Sequence, residues 1–581
     1  MNATNEKVLA YSIPGFFGGL VFFYMPGIAG GYRTVKWACA GLLLAALAGL
    51  LYRRLPKLYL PSNAILLSAA AVLPLCYAVA LFSGETDVAI SLAGILRYCV
   101  GLASALLIGS LWVCLDEKQR ESTLLLLPAI AAAAAIPIII SCVEMYREGI
   151  IFEPDISGTF GNPNWAAGYL VTAIPLAVYC LKASPSYFKK GLAGVSLAAV
   201  IGGIAFSLSK TAMLTGILIL FVSFLALYKK RDLVKYSIVV GVPFVLLSII
   251  LFHSTFGLWL RPRLFIWHAL LITMRDSWLV GKGALQALSF LEGGLAKVIN
   301  GDINSYMPAS QVEFVYNDYL QAFAEGGILG FFSFLTIMLW TLRKAYLSCS
   351  TMMHAAGLSL LALSIFALGD SPLQVPVTFY AWWFLVGIIW FHDINTEVFV
   401  ISNTRAVKVF ILMAMVLFFT EGARSFLGIY FWTQSGRTTT LLKQKQCLKK
   451  VCLFTPETFN ARTEYAQALG RSRQFREARL HATRAAAVKF DYDDMYLITQ
   501  CDIALRAKDP LSAWQSILDK FPCLNYPKIK LAEFYLQNNQ YQSAREQCES
   551  IINSCQSVNP KQPYFDRATR IIEMIDKLPQ K

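Results

Sequence analysis

Long apolar stretches separated by short polar connectors dominate the first three quarters of the chain. A membrane-spanning helix needs about 20 mostly apolar residues to cross about 30 Å of hydrocarbon. Thirteen stretches approach that length, at residues 10–30, 37–52, 62–83, 88–115, 124–143, 165–181, 191–208, 212–228, 236–253, 319–342, 353–369, 375–391 and 406–426. Because lipid offers no partner for backbone polar groups, they should be helices. The pattern predicts an all-α polytopic membrane protein with about 12–13 transmembrane helices.

Charged residues divide the chain near residue 434. The whole chain is 56% hydrophobic and 15% charged, but residues 434–581 alone contain 23 Lys and Arg and 15 Asp and Glu. This last part is as rich in charge as a soluble domain, whereas the preceding part is far poorer. We therefore expect a transmembrane domain at residues 1–433 and a water-exposed domain at residues 434–581.

Basic residues alternate between connectors. Those after even-numbered stretches contain Arg53, Arg54, Lys57, Lys118, Arg120, Lys182, Lys189, Lys190, Lys229, Lys230, Arg231, Lys235, Arg343 and Lys344. Cytoplasmic connectors collect Lys and Arg, so the pattern predicts a cytoplasmic N-terminus. The acidic connector with Glu85 and Asp87, the segment 144–164 and the long loop 254–318 are then extracytoplasmic.

The basic residues behind the net charge of +15 are not gathered on one amphipathic stretch, and before residue 434 they lie in short clusters between apolar stretches. A nucleic-acid-binding domain would gather its basic residues on one face. We therefore expect contact with membrane lipid and no nucleic acid. Arg33 and Lys36, in the first outer connector, are exceptions to the alternation.

The last apolar stretch decides on which side the C-terminal domain lies. It runs from Val407 to Thr420 and is then interrupted by Glu421 and Arg424, whose i,i+3 spacing allows pairing on one helix face. If the helix crosses the membrane, the C-terminal domain is extracytoplasmic. If it ends at Thr420 and residues 426–432 lie in the interface, that domain is cytoplasmic. We favour crossing.

The C-terminal domain resembles tetratricopeptide repeats. A pattern of aromatic and small residues, Tyr465, Ala466, Ala468, Leu469, Gly470, Phe475 and Ala478, returns in altered form as Phe534, Tyr535, Leu536, Tyr541 and Ala544. The offset of 66 residues is close to two periods of about 34. We expect an α-solenoid whose surface can bind a protein partner. A generic bundle of helical hairpins is the alternative.

No metal or cofactor is predicted. The five histidines, His253, His268, His354, His392 and His481, are scattered, and the 13 cysteines include no CxxC pair. Zinc sites generally use closely spaced ligands of these types.

Three polar segments fall on the predicted outer face. The first, GTFGNPNWAAG at residues 158–168, contains Asn162 and Asn164 on either side of a proline. Asn164 can cap the following helix, whose N-terminus would suit an anion. A plain turn with a cap is the alternative.

The second segment, RPRLFIW, contains Arg261 and Arg263, and Lys210 lies in a nearby outer connector. Guanidinium groups grip phosphate oxygens in a bidentate manner. The alternative is that these long side chains reach toward lipid headgroups. The GKG triplet at residues 281–283 lacks the spacing of a phosphate-binding loop.

The third segment, EFVYNDYLQAFAEGGILG at residues 313–330, contains Glu313, Tyr316, Asn317, Asp318 and Glu325. Acids and amides at the mouth of a spanning helix are costly in lipid, so we expect them to line a wet cavity enclosed by protein. Interfacial anchoring by the tyrosines with ordinary capping is the alternative.

The order of these segments resembles the O-antigen ligase and O-antigen polymerase superfamily over about residues 150–345. The family pattern GxFGNPNxxAxYL, SR or SK, RxxIW, GxG and HNDYLQxxAExGxxG corresponds here to GTFGNPNWAAGYL, SK, RLFIW, GKG and YNDYLQAFAEGGILG. The resemblance implies metal-independent glycosyl transfer at the outer face of the bacterial inner membrane. The implied donor is an undecaprenyl-diphosphate-linked glycan. The acceptor hydroxyl would belong to lipid A-core, a second glycan or a protein.

The resemblance also implies residue roles. Arg263 and Lys210 fall where family arginines contact the diphosphate, although a lysine lacks the guanidinium fork. The acceptor hydroxyl would lie beside Tyr316 and Asn317. Tyr316 replaces the usual family histidine, and a tyrosine with a reference pKa of about 10 is a poor base near neutrality.

Three carboxylates are alternative bases. Glu313 is preferred, because its loop can fold back over the motif. Asp318 can instead cap the next helix, and Glu325 is too deep if that helix is continuous. A base that is not essential, or an impaired enzyme, is also compatible with Tyr316.

Two classes of function remain. The first is a glycosyltransferase, either a ligase, a polymerase or a protein O-oligosaccharyltransferase. The second is a lipid-linked glycan transporter or a scaffold. A transporter more often has duplicated spans and broken helices near the membrane midplane. The sequence has no evident duplication and its polar motifs share one face, which favours the enzyme.

Overall fold

The computed structural model describes residues 3–23, 33–52, 55, 57–83, 87–147, 158–227, 253–288, 314–392, 398–486, 492–521, 524–556 and 563–577. The N-terminal helices are α1 (Ala3–Phe22), α2 (Arg33–Tyr52), α3 (Ala64–Ala80), α4 (Val88–Cys114), α5 (Glu117–Arg147), α6 (Pro163–Ala183), α7 (Tyr187–Phe206), α8 (Lys210–Leu227), α9 (His253–Thr273), α10 (Asp318–Leu347), α11 (Thr351–Phe366), α12 (Pro376–Phe391) and α13 (Thr404–Arg437). They are followed by α14 (Leu441–Phe454), α15 (Phe459–Arg471), α16 (Phe475–Ala486), α17 (Tyr492–Ala504), α18 (Pro510–Lys520), α19 (Asn525–Gln537), α20 (Tyr541–Gln556) and α21 (Pro563–Asp576). Two strands, β1 (Leu58–Pro61) and β2 (Val398–Ile401), form an antiparallel ribbon.

The predicted all-α polytopic class is confirmed. Within the described ranges, α2, α4, α5, α6, α7, α8, α10 and α13 are long and apolar enough to span a membrane. Residues 11–22 of α1 and helices α3, α11 and α12 are apolar but shorter. The predicted stretch 236–253 lies outside the described residues except for His253. The predicted long loop 254–318 contains almost all of α9, which the sequence pattern did not predict.

The β1–β2 ribbon identifies one end of the helical bundle, called here the ribbon end. Leu58 pairs with Ile401 and Pro61 with Val398, so the chain after α2 lies beside the chain before α13. At this end Lys408 lies over the Tyr52 ring, at 5.8 Å. The ribbon joins two connectors that both belong to the predicted cytoplasmic side.

Helix α13 crosses the bundle antiparallel to α2. The two backbones touch in the middle, where a Cβ on Gly41 would lie only 2.4 Å from the Gly422 amide nitrogen. Beyond that point Ile429 packs against Val35 and Ala38, near the start of α2. The last apolar helix therefore ends at the opposite end of the bundle from the ribbon.

Helices α14–α21, called here the tail, form successive antiparallel pairs. Arg473, Arg506 and Asn539 all have a positive φ in the turn within a pair, and they are spaced 33 residues apart. The same backbone hydrogen bond spans each turn. It joins the N–H of Gln474 to the Leu469 carbonyl, that of Ala507 to the Asp502 carbonyl and that of Gln540 to the Tyr535 carbonyl. The tail thus repeats structurally every 33 residues, and its assignment as tetratricopeptide repeats stays a prediction. The predicted boundary at residue 434 falls in the last turn of α13, and the division into two domains also remains a prediction.

Buried ion pairs attach the tail to the end of the bundle opposite the ribbon, called here the tail end. Glu457, between α14 and α15, pairs with Arg97 of α4 and, at 3.0 Å, with Arg424 of α13. Glu421 pairs with Arg424 at 2.6 Å, as the i,i+3 spacing suggested, and with Arg97 at 3.1 Å. These four side chains form the buried charge network.

Glu457 shows the strength of this network, and it lies outside the spanning helices. Burial raises its pKa, but the guanidinium groups of Arg424 and Arg97 more than compensate and lower the pKa to about 2. A further ion pair joins Arg462 of the tail to Asp87 before α4, at 2.6 Å. The tail is thus held to the bundle by ion pairs.

The close packing of α2 against α13 can be tested by enlarging a glycine at the contact. Gly422→Ala should lower the free energy of unfolding by about 1–3 kcal/mol, because the added methyl overpacks two touching backbones. Gly436→Ala in the same helix is the control, because no atom lies within 4 Å of its added Cβ. Thermal unfolding of both variants in detergent checks this. Equal melting temperatures would mean that the helices separate without cost.

Candidate active site

A cavity of about 500 Å³, called here the outer cavity, lies at the tail end of the bundle. Its wall combines the start of α2, one turn of α4, the start of α6, the segment before α10, the connector before α12 and part of the tail. The polar and charged lining residues are Arg33, Thr34, Arg97, Asn162, Asn164, Tyr316, Gln321, Asp370, Gln374, Glu457, Thr458 and Asn460. The three predicted polar segments are therefore brought together only in part, since Arg263 and Lys210 are not among the described lining residues.

The start of α6 presents both predicted asparagines to the outer cavity. Asn162, rather than Asn164, is the N-cap, and its side-chain oxygen accepts a hydrogen bond from the Asn164 N–H at 2.8 Å. Proline suits the first helical position because its missing N–H would have had no helical partner, so Pro163 shifts the cap back to Asn162. Gly161, with φ +74°, provides the turn before it.

The segment before α10 is held in an uncommon backbone conformation. Tyr316 has φ +55°, in the left-handed region, which non-glycine residues adopt rarely. The Trp267 indole N–H of α9 donates to the Val315 carbonyl at 2.8 Å, and the Arg263 guanidinium lies over the Tyr316 ring at 5.2 Å. Helix α9 thus positions the tyrosine in the cavity wall.

Asn317 and Asp318 begin α10 in different roles. The Asn317 side-chain oxygen caps the helix by accepting from the N–H groups of Tyr319 and Leu320, both at 3.0 Å. Its side-chain amide donates to the Leu368 carbonyl at 3.0 Å. Asp318 is therefore not the cap. It is buried and accepts from the Leu373 N–H at 2.9 Å.

Asp370 is a buried acid that sequence reasoning missed. It lines the outer cavity between α11 and α12, and one carboxylate oxygen lies 3.8 Å from the Arg263 guanidinium. Arg263 also donates to the Gly369 carbonyl at 2.9 Å. Burial raises the pKa of Asp370 to about 6, although Arg263 and the Ser371 N–H act to lower it. A clue was available, since Asp370 is an acid in a predicted outer connector.

A smaller cavity of about 100 Å³, called here the inner cavity, lies alongside the outer one and shares Trp37, Arg97, Leu285, Gln321 and Gln374 with it. Asp318 and Glu325 both line it. The Glu325 carboxylate is hydrogen-bonded by Gln321, Tyr77 and the Leu285 N–H.

Glu325 does not lie on a continuous helix. Gly327, with φ +63° and ψ −164°, breaks α10 two residues later. The GKG triplet packs against this break: a Cβ on Gly281 would lie 2.5 Å from the Glu325 backbone. The Gly283 N–H also donates to the Glu325 carbonyl at 3.0 Å. These glycines thus provide close backbone contact beside the inner cavity.

The two basic exceptions in the first outer connector have different roles. Arg33 lines the outer cavity, donates to the Gln374 carbonyl at 3.1 Å and lies over the Phe314 ring at 4.6 Å. Lys36 is buried and donates to the carbonyls of Leu20 and Val21 at the end of α1. The exception that Arg33 makes to the alternation of basic connectors is therefore explained by its place in the wall of the outer cavity.

The remaining predicted residues lie elsewhere or cannot be described. Lys210 is exposed at the start of α8. The Arg261 side chain and Glu313 lie outside the described part of the chain. Within that part, no group of three or more His, Cys, Asp and Glu side chains is arranged to hold a metal ion. Metal-independent chemistry stays a prediction.

Comparison with known proteins supports the resemblance in the segment that forms much of this site. No curated protein matches the chain. One segment of the chain, however, matches a known protein family. This segment begins within α7, ends within α10 and includes Arg263, Tyr316 and Glu325. Residues 195–335 match the O-antigen ligase family.

Proposed function

We propose that the chain is an O-antigen ligase-like glycosyltransferase that moves a glycan from an undecaprenyl-diphosphate carrier to an acceptor hydroxyl. The observation that carries the proposal is the outer cavity, where a cation, a helix N-terminus and a buried acid surround one space at one end of an apolar bundle. O-antigen or exopolysaccharide polymerisation and protein O-glycosylation use the same donor and remain alternatives.

The reaction needs few parts. The acceptor hydroxyl oxygen bonds to C1 of the donor sugar, and the bond from C1 to the phosphate oxygen breaks. Undecaprenyl diphosphate leaves with the electron pair, and a base takes the hydroxyl proton. Cations must stabilise the negative charge that develops on the diphosphate. A transporter would need none of this, although the break in α10 is a feature that transporters also use.

Arg33 and the start of α6 form the proposed diphosphate site. Both line the outer cavity, and the Phe314 ring contacts both the Arg33 guanidinium and the Trp165 ring, whose centroid lies 6.0 Å away. A helix N-terminus and a guanidinium are each suited to phosphate oxygens. In this arrangement Arg263 does not contact the diphosphate and instead positions Asp370 and Tyr316.

Asp370 is the proposed general base. It lines the cavity beside Tyr316, and its pKa of about 6 matches what a base needs near neutral pH. A tyrosine has a reference pKa of about 10, which does not suit a base near neutral pH. Glu325 and Asp318 line the inner cavity instead. Glu313 stays a candidate from sequence.

The proposed location is the bacterial inner membrane, with the tail and both cavities on the extracytoplasmic side. The ribbon end has the basic connectors expected in the cytoplasm, and α13 runs from there to the tail. A lipid-linked donor would then enter the outer cavity from the outer leaflet, and the tail can also offer its surface to a protein partner.

Asp370→Asn should reduce transfer at least about 100-fold, because general-base catalysis typically contributes that much. Purified enzyme with a lipid-linked oligosaccharide donor provides the assay, and Asp276→Asn, on an exposed turn, is the matched control. Wild-type activity should fall as the pH drops below about 6, since protonation removes the base. Thermal unfolding verifies that the variant remains folded.

Variants of the neighbours separate competing roles. Arg263 lowers the pKa of Asp370, so Arg263→Gln should move the acidic limb of the pH profile to higher pH. An unchanged limb with a raised donor KM would instead favour direct contact between Arg263 and the diphosphate. An active Asp370→Asn beside an inactive Tyr316→Phe would assign the base role to the tyrosine.

Arg33→Ala should raise the donor KM about tenfold or more, because a charge-assisted hydrogen bond to phosphate is lost. Arg33→Lys keeps the charge and should recover part of the affinity. Lys210→Ala tests the cation predicted from sequence and should change KM less than twofold. The opposite ranking of Arg33→Ala and Lys210→Ala would return the diphosphate to Lys210.

The tail should be accessible from outside the cell. In a variant without native cysteines, Lys577→Cys should react with a membrane-impermeant maleimide in intact spheroplasts, because Lys577 is exposed at the end of the tail. Cys349, exposed between α10 and α11, is the cytoplasmic control when restored alone and should react only after lysis. Labelling in the reverse order would invert the topology.

A further inference from the structure

Part of the tail, together with the end of α13, forms a wall of the outer cavity. Trp432, near the end of α13, and Glu457, Thr458, Phe459 and Asn460, between α14 and the first turn of α15, all line it. The sequence predicted only a scaffold surface here, without chemistry. The tail is therefore part of the candidate site as well as a surface for partners.

This wall is held firmly against the bundle. A Cβ on Gly428 of α13 would lie 2.4 Å from the Thr455 side chain, so the turn before Glu457 packs directly on the helix backbone. Arg424 donates to the Phe454 carbonyl at 3.3 Å as well as to Glu457. The Trp432 indole N–H donates to Glu464 at 3.3 Å. The wall residues are thus positioned before any ligand binds.

The side chains of the wall suit a carbohydrate. The half-buried Phe459 ring offers a flat apolar face on which the C–H face of a sugar ring can pack. The Trp432 indole also lines the cavity but is largely buried. Asn460, which is exposed, and Thr458 offer an amide and a hydroxyl, each able to donate to and accept from sugar hydroxyls. Specific small-molecule sites usually combine aromatic surfaces with a few polar groups in this way.

Arg33 and the α6 N-terminus lie on one side of the outer cavity, whereas the wall consists of tail residues and Trp432 of α13. A donor whose diphosphate lies at Arg33 would extend its glycan toward the tail. We infer that Trp432, Thr458, Phe459 and Asn460 form a subsite for the donor glycan beyond its first sugar, so that the tail sets the preference for donor length. This inference rests on the proposed function.

Two donors test the inference: the lipid-linked oligosaccharide isolated from the source cells, and the same lipid trimmed to its first sugar. The measured quantity is the ratio of kcat/KM for the full donor to that for the trimmed donor. Asn460→Ala and Phe459→Ala should each lower this ratio about fivefold, roughly the effect of one lost contact. Asn553→Ala, an exposed asparagine of α20, is the matched control and should keep the wild-type ratio.

An unchanged ratio in both variants would overturn the subsite, whether the activity toward both donors is retained or falls by the same factor. If the wild-type chain transfers neither donor, the proposed function fails and the subsite is tested by binding alone. Saturation-transfer NMR with the free, delipidated oligosaccharide should then give a signal that Asn460→Ala and Phe459→Ala weaken and Asn553→Ala does not. Equal signals from all four proteins would refute the subsite independently of activity.

Discussion

The buried charge network of Arg97, Glu421, Arg424 and Glu457 is the interaction on which the rest of the site depends. It joins α4, α13 and the tail, and two guanidinium groups balance two carboxylates. Removing one member of such a network leaves an uncompensated buried charge, at a cost of about 3–5 kcal/mol. The network forms because glycine contacts bring α13 against α2, so that Glu421 and Arg424 reach the tail end beside Arg97. Without that arrangement the tail could not close one side of the outer cavity.

The charges around the cavity also explain an apparent conflict with the predicted membrane topology. Basic residues are normally kept to the cytoplasmic connectors, yet Arg33 and Arg97 lie at the opposite end. Ionisable groups persist at such positions when they face a protein-enclosed cavity and have partners. Arg33 has the Gln374 carbonyl and the Phe314 ring, and Arg97 has two glutamates. Each cation is thus stabilised by protein contacts while its position remains beside the cavity.

The acid and the tyrosine of the candidate site, Asp370 and Tyr316, are linked by their shared contact with Arg263. Arg263 lies between the Tyr316 ring and the Asp370 carboxylate and also binds the Gly369 carbonyl. The cation therefore stabilises the connector that supplies Asp370 and the backbone turn that supplies Tyr316. In the proposed reaction the tyrosine at position 316 need not act as the base, because the neighbouring carboxylate takes the proton.

The sequence by itself determined the features that depend on local spacing. Apolar stretches predicted most of the spanning helices, the 66-residue offset in the tail equals two of the 33-residue structural steps, and Glu421 and Arg424 pair as their spacing allows. The ordered motifs also predicted the ligase resemblance, which the match at residues 195–335 supports.

Only the tertiary structure decided which of these polar residues share one space. Asp370 meets Arg263 across more than 100 residues, and Glu457 meets Arg97 across 360. Neither contact leaves a periodic signal, because it depends on how whole helices pack. The break at Gly327 likewise depends on close backbone contacts rather than on the apolar pattern. Local chemistry therefore specified the helices and their ends, whereas helix packing specified the cavity, its acid and the tail residues in its wall.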